Sequence, residues 1–259
     1  MRAIILAAGR GSRLERITED RPKCLVELKG RPLLRYQIEA LKAAGIKDIS
    51  IVRGYRKEML SFLDLVTFDN DRWPETNMVA SLACAREWLL LGPCIVSYSD
   101  IVYLPDHVSA LMAAEGDMAV TVDLQWRTLW EARSSSPLLD AETLRVAEDG
   151  SLIEIGKSPK SFEEVEAQYM GLVKITSTGW RWIETLLGSL EAAVRDKMDM
   201  TSMLSMMIEA KRSIYTVPIA GEWLEVDTAD DLALYETSYI ETVTKKLYDF
   251  VTGVSQVLR

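Results

Sequence analysis

At 259 residues, with 48% apolar and 27% charged side chains, the chain has the composition of an ordinary globular protein with a substantial core, which excludes a disordered, collagenous or low-complexity chain. Its net charge of −9 is uneven, because residues 1–31 hold eight Lys or Arg against four acids. An acidic chain that gathers cations beside glycines in one loop is built for a small anion; a nucleic-acid partner requires a broad basic face and is not expected.

Residues 2–6 form an apolar run ending in Ala7-Ala8-Gly9, the pattern of a buried strand followed by a loop. The run is too short for a signal-peptide core and leads straight into Arg10 and Arg13, so a cytoplasmic location is expected. Leu33, Leu34, Ile38, Leu41 and Ala44 recur at helical spacing, Gly45 stops them, and Ile49, Ile51 and Val52 mark a second strand. The alternation continues with a helix over 57–63, a strand over 65–68, a helix over 77–91 and a buried strand over 94–98. Pro105-Asp106-His107 reads as a helix start, with the one histidine as a surface or capping residue. Cys24, Cys84 and Cys94 have neither disulfide nor zinc spacing and read as apolar side chains.

Beyond residue 116, strands are expected over 118–122, 143–146, 152–155, 169–175 and 214–217, with helices over 179–190 and 201–210. An amphipathic helix over 229–250 closes the pattern, with Leu232, Leu234, Ile240, Val243 and Leu247 on its apolar side. That stripe packs on the chain's own core or, as the alternative, forms a homodimer. No run approaches the roughly 18 apolar residues of a membrane span. The expected architecture is α/β, a mainly parallel central sheet with an α+β extension, in one domain over 1–259. Its parts are a first half (1–115), a mixed half (116–228) and a C-terminal helix (229–259).

The chemistry-bearing signal is Leu6-Ala7-Ala8-Gly9-Arg10-Gly11-Ser12-Arg13-Leu14, followed by Arg21-Pro22-Lys23. Glycines after a strand let backbone N–H groups approach phosphate oxygens, and Arg10, Arg13 and Lys23 add charge-assisted hydrogen bonds. The loop is not a Walker loop, since no Gly-Lys-Ser/Thr follows, and it lacks full dinucleotide glycine spacing. Asp100 follows the strand at 94–98 and so lies at the sheet's carboxyl edge, where it binds a divalent cation or caps a turn. Asp227 likewise ends a strand-like segment before a helix and reads equally as an N-cap.

This loop, with Gly30-Arg31-Pro32-Leu33-Leu34 and Val52-Arg53-Gly54-Tyr55, resembles the N-terminal signature of nucleotidyltransferases that join a nucleoside monophosphate to a phosphorylated acceptor. The resemblance implies a Rossmann-like nucleotidyltransferase fold. In it Leu6, Ala7, Ala8, Gly9, Gly11 and Ser12 would line the nucleotide, and Lys23, Arg13 and Arg10 would be catalytic. Lys23 would reach the attacked α-phosphate and the two arginines the leaving pyrophosphate, with Mg²⁺ held by Asp100 and Asp227. The stretch Thr76-Asn77-Met78-Val79-Ala80-Ser81 is similar to that of the phosphocholine and phosphonate cytidylyltransferase branch. It implies CTP, with Thr76, Asn77 and Ser81 at the base, although capping explains them too.

Asp123, Trp126 and Trp130 also look more like that branch, as does Tyr169-Met170-Gly171. Two tryptophans four apart share a helix face and could cage a cationic amine, core packing being the alternative. Arg133 and Lys157 are candidates for the acceptor's phosphate or phosphonate, and Asp199 for its amine or hydroxyl. The expected reaction transfers CMP from CTP to a small phosphonate (2-aminoethylphosphonate or 2-hydroxyethylphosphonate) or to phosphocholine. The alternatives are a sugar-1-phosphate nucleotidyltransferase and a nucleotide-binding regulatory subunit without turnover.

Overall fold

A computed structural model of the chain describes residues 1–236, 246, 247, 249, 250 and 253. Strand β1 (Arg2–Ala7) is buried on both faces: Ala3, Ile5 and Ala7 enter one apolar cluster, and Ile4 and Leu6 the other. That division follows from the two-residue period of a strand, and it makes β1 the axis of a sheet covered on both sides. A hairpin, β2 (Glu27–Leu28) and β3 (Arg31–Pro32), leads into α1 (Leu33–Ala43), which ends before Gly45 at φ 91°. Next come β4 (Asp48–Arg53), β5 (Val66–Asp69), α2 (Met78–Cys84), α3 (Arg86–Leu91), β6 (Cys94–Tyr98), β7 (Ile101–Tyr103) and α4 (Pro105–Ala113).

The second half supplies β8 (Met118–Asp123), α5 (Trp126–Arg133), β9 (Leu144–Val146), β10 (Leu152–Ile155) and β11 (Gln168–Ile175). It continues with α6 (Ser177–Ser189), α7 (Ala192–Lys197), α8 (Met200–Glu209), β12 (Tyr215–Ile219), β13 (Trp223–Glu225) and α9 (Ala229–Glu236). Seven strands form one sheet in the order β12-β8-β11-β6-β1-β4-β5, in which β11 alone runs against its neighbours. The mainly parallel α/β sheet is therefore as expected. The short strand β13 pairs antiparallel with β7, which brings the segment after β13 beside the carboxyl end of β6.

Several expectations need correction. Residues 57–60 form only a 3₁₀ turn, entered through Arg56 at φ 50°, a left-handed conformation from which an α-helix does not propagate. The helix expected over 77–91 breaks at Ala85 (φ −92°, ψ 20°), so that α2 packs on α7 and α8 while α3 packs on α6. His107 is buried within α4 rather than on the surface, and burial holds its imidazole below its ordinary pKa. Of the C-terminal helix, residues 229–236 are helical and Leu247 is buried in the core cluster, which accounts for that part of the stripe within the chain. Ile240 and Val243 lie outside the described residues. No helix among those described is long and apolar enough to cross a membrane.

Candidate active site

The carboxyl end of β1 opens into Ala8-Gly9-Arg10-Gly11. Gly11 sits at φ 75°, and a Cβ there would lie 2.8 Å from Cδ of Lys23, so only glycine lets the lysine's aliphatic stem cross the loop. Lys23 is 8% exposed, and its ammonium donates to Asp100 Oδ2 at 2.8 Å and to Asp227 Oδ1 at 2.5 Å. Arg13 Nη2 reaches the same Asp227 oxygen at 3.0 Å while its side chain stays largely exposed. Burial alone would lower the Lys23 pKa, but Asp100 and then Asp227 outweigh it, and the net shift is upward. Lys23 is therefore an ammonium.

Asp100 and Asp227 are joined by Glu225, the last residue of β13; one carboxylate oxygen from each lies within 4.8 Å of the others. Burial, reinforced by the charge of Asp227, raises the Glu225 pKa. Oδ1 of Asp100 is buried without a hydrogen-bond partner among the described residues. Three hard oxygen donors, one of them with an unpartnered oxygen, fit a divalent cation of the Mg²⁺ kind.

Behind the carboxylates sits Arg133, its side chain 6% exposed, with Nη1 2.9 Å from Glu225 and Nε 2.9 Å from Asp231. Its Nη2 lies 3.6 Å from Asp227, and its Cζ stacks 5.3 Å from the Trp130 ring centroid. Asp231 Oδ2 accepts from the backbone N–H groups of Asp227 and Thr228, and Thr228 Oγ1 accepts from Asp231 N, as in a capping box. Thus α9 holds the loop that carries Asp227.

On the other side of the glycine loop a cleft of about 340 Å³ is lined by Leu6, Ala8, Gly9, Trp73, Thr76, Asn77, Met78 and Ser81. The expected nucleotide residues Leu6, Ala8, Gly9, Thr76, Asn77 and Ser81 therefore share one wall system. Gly54 allows it: a Cβ there would meet Ala8 O at 2.6 Å and Trp73 Cβ at 2.7 Å. Ala7 ends β1, Ser12 begins a 3₁₀ turn on the solvent side, and exposed Arg10 lies 5.8 Å from the Tyr55 ring centroid.

The acceptor residues fare differently. Trp126 and Trp130 are each 4% exposed, packed on one another and on Phe162 and Trp223, so they form core rather than an amine cage. The cation that Trp130 stacks against is the chain's own Arg133, whose guanidinium is committed to carboxylates rather than open to an acceptor. Asp123 accepts from Gln125 N, Gly221 N and Trp223 Nε1, which fastens β8 to the turn before β13 and leaves it no acceptor role. Lys157 is exposed and pairs with Glu154. Gly171 (φ 89°) packs against Tyr98, whose ring meets Tyr169 edge-on at 5.7 Å. Asp199 caps α8 through Ser202 N, and Thr201 Oγ1 lies within hydrogen-bond reach of both Asp199 and Glu142.

Residues 3–157 match the MobA-like NTP transferase domain, which spans more than half of the chain. The chain belongs to that family. A CTP:phosphoglutamine cytidylyltransferase of Campylobacter jejuni is 40% identical over 251 residues, covering 90% of this chain and 98% of that one. A 2-aminoethylphosphonate cytidylyltransferase of Lancefieldella rimae is 34% identical over 111 residues, 41% of this chain and 45% of that one. The structure of the inositol-1-phosphate CTP transferase from T. maritima superposes with a TM-score of 0.75 at 20% identity over 96% of both chains, a likeness of fold.

For an NTP transferase domain, the residues that sequence reading passed over are informative. Glu225 lies two residues before Asp227, and this Glu-x-Asp spacing at the end of a strand-like segment was its signal. Trp73 and Asn70 lie in a loop without periodicity, and no signal marked them. Glu142, whose pKa is raised by burial and then by Asp199, lies within hydrogen-bond reach of Thr201 Oγ1.

Proposed function

We propose that this nucleotidyltransferase is a cytidylyltransferase that joins CMP from CTP to a small phosphoryl-bearing acceptor and releases pyrophosphate. The observation that carries the reading is the meeting of Lys23 and Arg13 with Asp100, Glu225 and Asp227 at one sheet edge, beside a cleft with polar walls. Loop cations, a carboxylate trio and an adjoining cleft are what transfer at an α-phosphorus requires.

An acceptor phosphoryl oxygen attacks the α-phosphorus in line. The new O–P bond forms as the bond to the bridging oxygen breaks, and its electron pair leaves with pyrophosphate. A divalent cation of the Mg²⁺ kind, held by Asp100, Glu225 and Asp227, would neutralise charge on the triphosphate. Lys23, an ammonium at any physiological pH, turns from its carboxylates to the α-phosphate. Arg13 and Arg10, both exposed, meet the departing pyrophosphate. An acceptor oxygen ionised near neutral pH needs no general base, which agrees with a His107 buried within α4.

For the acceptor, the favoured class is a small phosphoryl compound carrying a cationic amine, the class named for the phosphoglutamine, choline-phosphate and aminoethylphosphonate relatives. Phosphoglutamine leads within this class, since the likeness to a phosphoglutamine enzyme runs through nearly the whole chain. 2-Aminoethylphosphonate and phosphocholine follow, and 2-hydroxyethylphosphonate, without an amine, comes last. The test is pyrophosphate release with Mg²⁺ across CTP, UTP, ATP, GTP and dTTP, against these four acceptors and glucose-1-phosphate. CTP with an amine-bearing acceptor is the expected pair; turnover with glucose-1-phosphate alone would overturn the reading in favour of a sugar-phosphate enzyme.

A further inference from the structure

The wall of the cleft contains a chain of hydrogen bonds whose direction is fixed from one end. Asn70 is 5% exposed, in the loop after β5, and its Oδ1 accepts from the backbone N–H of Arg72 at 3.0 Å. A backbone N–H can only donate, so the amide orientation is determined: oxygen to Arg72, NH₂ toward the cleft. That NH₂ donates to Thr76 Oγ1 at 2.9 Å and to Ser81 Oγ at 3.0 Å. Both hydroxyls thus accept from Asn70. The Thr76 proton goes on to the Arg72 carbonyl at 2.9 Å. The Ser81 hydroxyl has no second partner among the described residues, and Ser81 lines the cleft, so its proton is the one left to point at a ligand.

We infer that Asn70 is a positioning residue that makes Ser81 a hydrogen-bond donor toward the nucleotide base, and so selects cytosine over uracil. This rests on the proposed use of CTP. The two bases share an acceptor at O2 and differ at N3, which accepts in cytosine and donates in uracil. A hydroxyl that accepts from Asn70 and keeps its proton unspent donates to the first at N3; the second offers no acceptor there, and the Ser81 proton is left unpaired. A site built around one hydrogen-bond polarity rejects the wrong base more strongly than an apolar wall does, because the mismatch leaves buried polar groups unpaired. Sequence resemblance placed Ser81 at the base; the polarity of its hydroxyl comes from Asn70.

The experiment measures kcat/KM and equilibrium binding for CTP and UTP in the wild type, Asn70→Asp, Ser81→Ala and the double variant. Asn70→Asp is nearly isosteric but presents an acceptor, so the Ser81 proton turns inward and its lone pair faces the base. The added negative charge acts alike on the two triphosphates, and comparison of the double variant with Ser81→Ala isolates any effect of that charge on the base itself. The CTP:UTP ratio is expected to fall about tenfold or more in each single variant. The fall should appear mainly in KM for the nucleotide, with the acceptor KM unchanged, and the double variant should fall no further than Ser81→Ala. An unchanged ratio in Asn70→Asp, or additive effects in the double variant, overturns the inference while leaving the CTP reading intact. If Asn70→Asp does not fold, Ser81→Ala decides by the same ratio. A wild type without preference for CTP over UTP overturns both.

Discussion

Lys23 bridges two carboxylates that a divalent cation would otherwise hold together, and the protein carries its own counterion at that point. Removing it leaves Asp100 and Asp227 partly buried beside Glu225, a charge arrangement that costs several kcal/mol unless a cation replaces it. Lys23→Ala is therefore expected to lose turnover by about two to four orders of magnitude. Its melting temperature should also become strongly dependent on Mg²⁺, where the wild type's is nearly indifferent; thermal melts with and without Mg²⁺ read this separately from activity. Arg133 is the opposite case, a cation that ligand never reaches. Arg133→Met strips Glu225 and Asp231 of their buried partner and should destabilise by about 3–5 kcal/mol in chemical denaturation. Asp231 titrates below its usual range: burial opposes the shift, and Arg133 outweighs it. A depressed carboxyl pKa adds stability above the unfolded value that is lost as pH falls through the folded one, so this contribution disappears in acid, below about pH 4. At this scale the position of Asp100 at the sheet's carboxyl edge was legible, because an acid that follows a strand of a parallel sheet lies there, whereas its contact with Lys23, 77 residues away, left no local pattern. Arg133 was misread, because nothing local distinguishes an arginine that meets ligand from one that meets acids 92 to 98 residues away.

Between elements, close approach decides what the glycines do. Gly54 brings the end of β4 against the loop after β1 and against Trp73, and Gly54→Ala should push that wall outward, at about 1–3 kcal/mol. Its signature is a raised KM for the nucleotide with a smaller change in kcat, read by steady-state kinetics. In α4 the one histidine is buried, and its depressed pKa arises from burial, aided by Lys246 and opposed by Glu222, Asp123 and Asp106. Above the unfolded value near 6.5 both states are neutral; as pH falls below it the unfolded chain gains a proton first, so stability declines toward the folded pKa. Denaturation midpoints between pH 8 and 5 check the slope, and His107→Gln should flatten it. The long strands and amphipathic helices were legible from period and punctuation. The pairing of β7 with β13 was not: β13 read as strand-like, but β7 is three residues with too little pattern, and the pair joins parts of the chain more than a hundred residues apart. The break at Ala85 was equally silent, since alanine favours helix and tertiary packing on two different partners sets the bend.

Over the whole molecule, the sheet order places the carboxyl ends of β1 and β6 side by side, and β13 joins them through β7 rather than through the sheet. Fold class followed from alternation of strands and helices; the position of the antiparallel β11 inside the sheet did not, because strand direction leaves no trace in composition. The acidic body around a cationic loop makes electrostatic focusing local, so nucleotide capture should slow as ionic strength rises from 0.05 to 0.5 M by about tenfold or less, measured by stopped-flow binding. One consequence concerns the order of events in synthesis. Lys23 lies 77 residues from Asp100 and 204 from Asp227, so the pair of contacts that organises the centre spans most of the polypeptide. A nascent chain displays the basic loop 77 residues before Asp100 and 204 residues before Asp227. Contacts of such separation form late and slowly. The centre is accordingly incomplete until Asp227 has emerged, and nucleotide cannot template the folding of the preceding segments through it.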